Sequence, residues 1–196
     1  MNTKISDILS RIAELERELE RELELDIDNL RSKFQYRIEK GRIAFERETC
    51  ALHKKMRQGI VAFLWEAPLA SLLVAPVIYS LAVPFVLLDC WLWLYQAVCF
   101  PVYGIAKVDR SRYILLDRSH LRYLNGIERL NCDYCGYANG LIAYVREIAS
   151  RTEQYFCPIK HARRWSGPHS RYREFLDFGD AAAYKKELVQ LRADLK

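Results

Sequence analysis

Apolar and charged side chains alternate with a helical period through the first quarter of the chain. The apolar residues recur every three or four positions, and no proline interrupts them. This spacing predicts one amphipathic helix over residues 4–57, with Gly41 as its only weak point. The apolar seam of that helix consists of Ile5, Ile8, Ile12, Leu15, Leu19, Leu23, Ile27, Leu30, Phe34 and Ile38.

This apolar seam needs a partner, because a seam of such length would otherwise expose its side chains to water. Acidic and basic residues fill the other faces, as in the run ELERELERELELD, and their spacing suits ion pairs between successive turns. We therefore expect self-association as a coiled coil through residues 5–38, giving a homo-oligomer. The alternative is a helix that packs on the rest of its own chain.

The pattern changes abruptly between Ile60 and Ala106, where Glu66 and Asp89 are the only charged residues. As one helix, these residues would extend about 70 Å, whereas the hydrocarbon core of a bilayer is about 30 Å thick. Two crossings, at about 60–80 and 85–106, fit that thickness better than one. Four prolines would bend or break the helices. The sequence predicts a tight, proline-broken membrane hairpin of two transmembrane or re-entrant helices. The prolines are Pro68, Pro76, Pro84 and Pro101.

Basic residues flank the apolar segment on both sides. Positive charge marks the cytoplasmic side of a membrane segment, so both flanks and both termini are expected to be cytoplasmic. The first 55 residues are densely charged, and we expect no N-terminal signal peptide and six reduced cysteines. The flanking residues are Lys54, Lys55 and Arg57 before the segment, and Lys107, Arg110 and Arg112 after it.

The two acidic residues of the apolar segment have different contexts. A carboxylate at membrane depth is costly and often belongs to a proton or ion pathway. Glu66 precedes Ala67-Pro68 and fits an interfacial position near a helix start. Asp89 lies between VPFVLL and CWLWLY. It is expected to cap a helix, to meet a basic partner or to lie at the interface, and a transport role is the alternative.

Three cysteines and one histidine form two short-spaced pairs in the C-terminal part. Cys132 and Cys135 make a CxxC pair, and Cys157 and His161 make a CxxxH pair. Thiolate and imidazole are ligands that zinc prefers, and iron is the alternative metal. A helix predicted over about 140–155 would separate the pairs, so they meet only if residues 135–140 fold back or if two subunits share the site. Small packed thiols and a redox dithiol are the other interpretations.

The remaining C-terminal sequence predicts further helices. Leu121, Leu124, Ile127 and Leu130 indicate a basic amphipathic helix within 107–131 that ends at the CxxC pair. Asp180 is expected to cap a final helix, which has Tyr184, Leu188, Leu191 and Leu195 on one face.

The blocks CDYCGYANG and RTEQYFCPIKHA, with the preceding YQAVCFPVYGI, resemble a group of uncharacterised small bacterial membrane proteins. The resemblance covers about 76–164 and leaves out the N-terminal helix. It implies a bacterial membrane setting and supplies no mechanism.

These patterns predict an all-α membrane protein in three parts. Residues 1–58 form a cytoplasmic coiled-coil helix, 59–106 the membrane hairpin, and 107–196 a cytoplasmic helical Cys/His module. A net charge of +5 is mild, the arginines adjoin a membrane segment, and no nucleic-acid partner is expected.

The function that fits this architecture is a self-assembling scaffold or accessory protein of the bacterial inner membrane, in which any metal is structural. No phosphate loop, nucleophile elbow or metalloprotease motif is present, which favours a role other than catalysis. The alternatives are a redox or electron-transfer component that uses the Cys/His cluster, and a small proton or ion conductor that uses Asp89.

Overall fold

The computed structural model describes residues 3–34, 36–39, 42–163 and 166–196 and is mostly helical. Two short antiparallel strands, β1 (Tyr36–Glu39) and β2 (Arg42–Phe45), follow the first helix. The helices are α1 (Thr3–Lys33), α2 (Arg47–Met56), α3 (Ile60–Glu66), α4 (Leu69–Ser80), α5 (Ala82–Tyr103), α6 (Gly126–Phe156) and α7 (Ala181–Ala193).

The N-terminal region confirms a long amphipathic helix, but the prediction that it continues to residue 57 is wrong. Helix α1 ends at Lys33, and the strands pair with Ile38 opposite Ile43 and Tyr36 opposite Phe45. Within YRIE polar and apolar residues alternate, which suits a strand. Ile38 fits both the helical spacing of the seam and the two-residue alternation of a strand, so helical spacing alone assigned it to the helix although it lies in β1. Gln35, Lys40 and Gly41 lie outside the described residues.

The apolar segment does not form the predicted hairpin of two antiparallel helices. Leu81 joins α4 to α5 and keeps a right-handed helical conformation (φ −63°, ψ −17°), so the two helices follow one another in the same direction. Pro84 lies in the first turn of α5, where a backbone N–H has no intrahelical partner and proline is tolerated. Helix α5 ends at Gly104, whose positive φ of 66° provides the left-handed C-cap.

Helix α6 is longer than predicted and starts earlier. The side chain of Asn125 accepts hydrogen bonds from the backbone N–H groups of Ile127 (2.9 Å) and Glu128 (3.0 Å), and Glu128 accepts one from the backbone of Asn125 (2.8 Å). This reciprocal capping box starts a helix that passes through the CxxC pair without interruption. The predicted amphipathic helix ending at that pair is therefore wrong.

Residues 104–125, here called the return segment, connect the end of α5 to the start of α6. The segment is irregular apart from 3-10 turns at Arg110–Arg112 and Arg118–His120. It runs back along α6 and crosses it at two glycines. A Cβ at Gly140 would overlap the carbonyl oxygen of Tyr113, and one at Gly136 would lie 3.1 Å from that of Leu115. These glycines permit a close approach of two backbones and do not break the helix.

The core lies where α5, α6, the return segment and the C-terminus meet. Aromatic rings complete it, with Tyr113 and Tyr144 at 5.9 Å and Tyr95 and Phe100 at 5.7 Å between centroids. Its buried apolar side chains are Phe100, Ile105, Val108, Leu141, Tyr144, Ile148 and Leu195.

The C-terminal helix confirms the sequence prediction. Asp180 accepts a hydrogen bond from the backbone N–H of Ala183 at 2.8 Å and so caps α7. Leu191 and Leu195 are buried, and Tyr184 and Leu188 on the same face are half-buried. The face predicted to be apolar therefore packs inward.

A polar cluster attaches the loop before α7 to α6. Glu147 accepts hydrogen bonds from Arg151 (2.8 Å) and Arg171 (3.0 Å), and Arg171 also donates to Gln154 (3.1 Å). His169 lies 2.9 Å from the carboxylate of Glu153. Because these partners lie on both elements, the cluster fixes the loop on the last turns of α6.

Candidate membrane-attachment site

The inner face of α5 carries the polar side chains of the apolar segment. Asp89 accepts hydrogen bonds from Arg110, at 3.1 Å from Nε and 2.7 Å from Nη2. The hydroxyl of Tyr137 donates to the same carboxylate at 3.0 Å. The basic partner expected as one interpretation of Asp89 is thus Arg110, one of the flanking basic residues.

This three-residue network is electrostatically matched. Burial raises the pKa of Tyr137 to about 12, and its hydrogen bond to the negative carboxylate of Asp89 acts in the same direction. The hydrogen bond with Asp89 also raises the pKa of Arg110. Tyr137 therefore remains a hydrogen-bond donor and Arg110 remains charged throughout the physiological pH range.

A second polar contact lies two turns further along α5. The side chain of Gln96 is buried, donates to the hydroxyl of Tyr144, and accepts from the backbone N–H of Val108 at 2.7 Å. Gln96 carries no charge and was therefore not predicted from the sequence as a site residue. An uncharged amide among tryptophans and leucines was the available signal, since a buried amide needs hydrogen-bond partners.

The outward face of the α4–α5 pair is almost entirely apolar, unlike an ordinary water-exposed protein surface. It exposes no charged side chain, and its polar side chains are limited to Ser71, Ser80 and Tyr103. Trp91 is 72% exposed and Leu87 is 65% exposed. We define the outward face by its exposed large apolar residues: Leu69, Leu72, Leu73, Val74, Val77, Ile78, Leu81, Val83, Val86, Leu87, Leu88, Trp91, Trp93, Leu94, Val98 and Val102.

The residues 69–103 are long and apolar enough, by length and composition, to cross a membrane, and they form the one such stretch among the described residues. In α5 the polar side chains of Asp89 and Gln96 point toward the protein, while large apolar side chains such as Leu87 and Trp91 are exposed on the other face. A water-facing helix has the reverse arrangement. The contiguous apolar surface is thus suited to an apolar surrounding.

The predicted basic flanks lie before and after the apolar segment in the chain and are exposed. Lys54, Lys55, Arg57, Lys107 and Arg112 are exposed, the first two in the last turn of α2 and the third directly after it. Arg112 lies 3.7 Å from Asp109. Exposed lysines and arginines that flank an apolar segment favour contact with anionic headgroups.

Glu66, the other acidic residue of the segment, is the last residue of α3 and lies three residues before the start of α4 at Leu69, near a helix start as expected. Its carboxylate accepts a hydrogen bond from the side chain of Gln58 at 2.8 Å. It is exposed and does not join the Asp89 network.

The predicted metal ligands do not come together in one chain. Cys132 and Cys135 lie in the first third of α6, whereas Cys157 caps its other end. The 25 residue steps from Cys132 to Cys157 correspond to about 37 Å of helical rise. The fold-back at residues 135–140, one of the two ways in which the pairs could meet, does not occur, because the helix is continuous there.

Each member of the Cys/His set has a separate environment. Cys135 and Cys157 are exposed, and Cys132 is half-buried. The ring of His161 stacks on Tyr172 at 6.0 Å. Among the described residues, no group of three or more His, Cys, Asp or Glu side chains is placed to hold a metal ion. A site shared between subunits, with zinc or iron, stays a prediction.

The apolar seam of α1 is largely uncovered. Leu15, Leu19 and Leu23 are 62%, 59% and 51% exposed. Glu16 of this helix forms an ion pair with Arg173 at 3.3 Å, which places α1 beside the C-terminal loop without covering the leucines.

No family model matches the chain, and neither the curated proteins nor the solved structures include a protein that matches it.

Proposed function

We propose that this protein is a self-assembling scaffold or accessory protein of the bacterial inner membrane. In this proposal the outward face of α4–α5 provides attachment to the lipid bilayer and the apolar seam of α1 provides self-association. Both termini are cytoplasmic.

The observation that carries the proposal is the inverted polarity of α5. Asp89 and Gln96 make their hydrogen bonds with α6 and the return segment, while tryptophan, leucine and valine side chains point outward. Each such side chain gains about 1.5–3 kcal/mol when it leaves water. A contiguous surface of this kind is best accounted for by acyl chains.

The other functions proposed from the sequence have less support. A proton or ion conductor would need a carboxylate that is free to exchange protons or cations, whereas Asp89 is held by Arg110 and Tyr137. A redox component based on the whole Cys/His cluster would need Cys132 and Cys157 close together, and α6 separates them.

The proposal is tested by flotation of the full-length protein with vesicles of phosphatidylethanolamine and phosphatidylglycerol. The attachment variant combines Leu87→Glu with Trp91→Glu on the outward face. The matched control combines Phe178→Glu with Val189→Glu, two apolar residues that are exposed to similar degrees, 68% and 74%, outside α4–α5.

The parent and the control should float with the vesicles, and the attachment variant should remain in the dense fraction. Loss of two inserted side chains at about 1.5 kcal/mol each lowers partitioning by about 100-fold. Flotation of the attachment variant at the parent level, or no flotation of the parent, would contradict the proposal.

A further inference from the structure

Helix α6 accompanies α4–α5 in parallel and in constant register. The hydroxyl of Tyr79 donates to Asn131, Tyr137 donates to the carbonyl of Phe85, and Tyr103 packs on Tyr155. In each of these three pairs the residue numbers differ by 52. The two helices therefore keep the same direction from Tyr79 to the end of α5, and any path of the apolar helix through a membrane is also the path of α6.

The charges of α6 are incompatible with a crossing on that path. Its uncharged stretch is limited to residues 134–145. These 12 residues rise about 18 Å, which is well below the roughly 30 Å of a hydrocarbon core. A crossing would bring charged side chains from one or both ends of that stretch into the hydrocarbon. They are Glu128, Arg129 and Asp133 before it, and Arg146, Glu147, Arg151 and Glu153 after it.

The return segment gives a second, independent objection. It crosses α6 at Gly140, which by the same register of 52 is level with Leu88 in the middle of the α4–α5 pair. Irregular backbone at the depth of the hydrocarbon would leave N–H and C=O groups without partners. The same segment carries Lys107, Asp109, Arg110 and Arg112. A crossing would bring these groups to the middle of the bilayer.

The length of the α4–α5 pair is a third argument against a crossing. Its 35 residues extend about 52 Å as a helix. To fit within about 30 Å of hydrocarbon, the helix would need a tilt of roughly 55°, beyond the upper end of about 40° for spanning helices. A helix that lies along a membrane surface has no such limit.

We infer that α4–α5 lies in the plane of a single leaflet, with its outward face among the acyl chains and with α6 and the return segment on the aqueous side. This inference rests on the proposed membrane attachment and specifies its geometry. It replaces the two-crossing hairpin, and it still places both basic flanks on one side of the membrane. The occupant of the outward face is lipid of that one leaflet.

The test is a depth measurement by electron paramagnetic resonance on the full-length protein in phosphatidylethanolamine–phosphatidylglycerol vesicles. A nitroxide is attached through an encoded p-acetylphenylalanine, which leaves the native cysteines unmodified, at Leu73, Leu87 or Val102 in turn. These positions on the outward face are 71%, 65% and 74% exposed. Val189 in α7, at 74%, is the aqueous control. Relative accessibility to oxygen and to a water-soluble nickel complex reports depth.

An in-plane helix predicts one shallow depth for all three labels, within about 5–10 Å of the headgroup boundary. A crossing predicts that Leu87 reaches the bilayer midplane while Leu73 and Val102 lie near the two surfaces. That result would overturn the in-plane geometry and leave the membrane attachment intact. Labels that are all as water-accessible as the one at Val189 would overturn the attachment itself.

Discussion

Helices α1 and α6 are both 31 residues long and both amphipathic, yet their apolar sides have opposite fates. In α6, Leu141 and Ile148 are 0% and 2% exposed, because α5, the return segment and the C-terminus cover them. In α1, Leu15 and Leu19 remain mostly exposed. The chain supplies a cover for α6 and leaves the leucines of α1 exposed, and in the proposed function a second copy of the chain covers them.

The largest expected effect comes from the same truncation in the two helices. Leu141→Ala should lower the free energy of unfolding by about 2–5 kcal/mol, because it empties a fully buried site. Leu15→Ala, at an exposed position, should change the stability of the C-terminal core by less than about 0.5 kcal/mol. Hydrogen exchange of the α6 amides measures both. Equal losses would mean that the two helices are covered alike.

A second comparison uses two glycines of α6. Alanine normally stabilises a helix over glycine by up to about 1 kcal/mol. At Gly140 the added Cβ overlaps the backbone of Tyr113, so Gly140→Ala should destabilise by about 1–3 kcal/mol. Gly126→Ala is the control, because its Cβ would meet only Ile60 at an ordinary 3.5 Å. Thermal unfolding by circular dichroism reports the sign. A stabilising Gly140→Ala would show that the return segment does not lie against α6.

A third comparison concerns two ion pairs: Asp89–Arg110, which contacts α6 through Tyr137, and Asp28–Arg31 in α1. Asp89 is 15% exposed and is bound by Arg110 and Tyr137, whereas Asp28 of α1 is 68% exposed in its pair with Arg31. Asp89→Asn should cost about 1–2 kcal/mol, because it weakens charge-assisted hydrogen bonds that are partly shielded from water. Asp28→Asn should cost less than about 0.5 kcal/mol. Urea unfolding measures the stability of both variants. An unchanged free energy of unfolding for Asp89→Asn would show that the network does not stabilise the fold.

The smallest expected effect is a pH dependence in α6. Burial alone would raise the pKa of Glu147, but hydrogen bonds from Arg151 and Arg171 outweigh it and hold the pKa below the ordinary value of 4.5. The stabilisation is therefore present above about pH 4.5 and is lost as the pH falls through the lower pKa of the folded state. Glu147→Gln should flatten the fall of Tm with acidification in that range. An unchanged slope would contradict the assignment.

The elements with one consistent local signal were predictable from the sequence. Helix α7 combined a capping Asp180 with apolar residues at helical spacing, and both features agree with the structure. The start of the long N-terminal helix followed from charge and hydropathy in the same way. In these elements neighbouring residues alone determine the outcome.

The wrong predictions fall where one residue type has two physical meanings. Residues 135–140 offered a possible fold-back, but Gly136 and Gly140 within them instead allow the return segment to approach a continuous helix. Pro84 was interpreted as a hairpin signal, but in the first turn of α5 it leaves the direction of the chain unchanged. In each case a contact distant in sequence decides which meaning applies.

The separation of the Cys/His pairs follows from the same ambiguity. Spacing within each pair suited a metal, but whether Cys132 meets Cys157 depends on the path of the chain between them. Once α6 continues through Gly140, the pairs stay at opposite ends. Short spacing thus identified candidate ligands without determining whether they form one site.

The central claim, that the open seam of α1 joins copies of this chain, is tested most directly by the mass of the full-length particle in lipid nanodiscs. Leu23 and Leu25 are both exposed, at 51% and 58%, but Leu23 belongs to the seam and Leu25 lies on another face of the helix. Mass photometry of Leu23→Lys and Leu25→Lys therefore compares one chemical change at two positions. We expect an oligomer for the parent and for Leu25→Lys, and a shift of Leu23→Lys to single chains with association weakened at least about 10-fold. A monomeric parent, or an identical mass for the two variants and the parent, would contradict it.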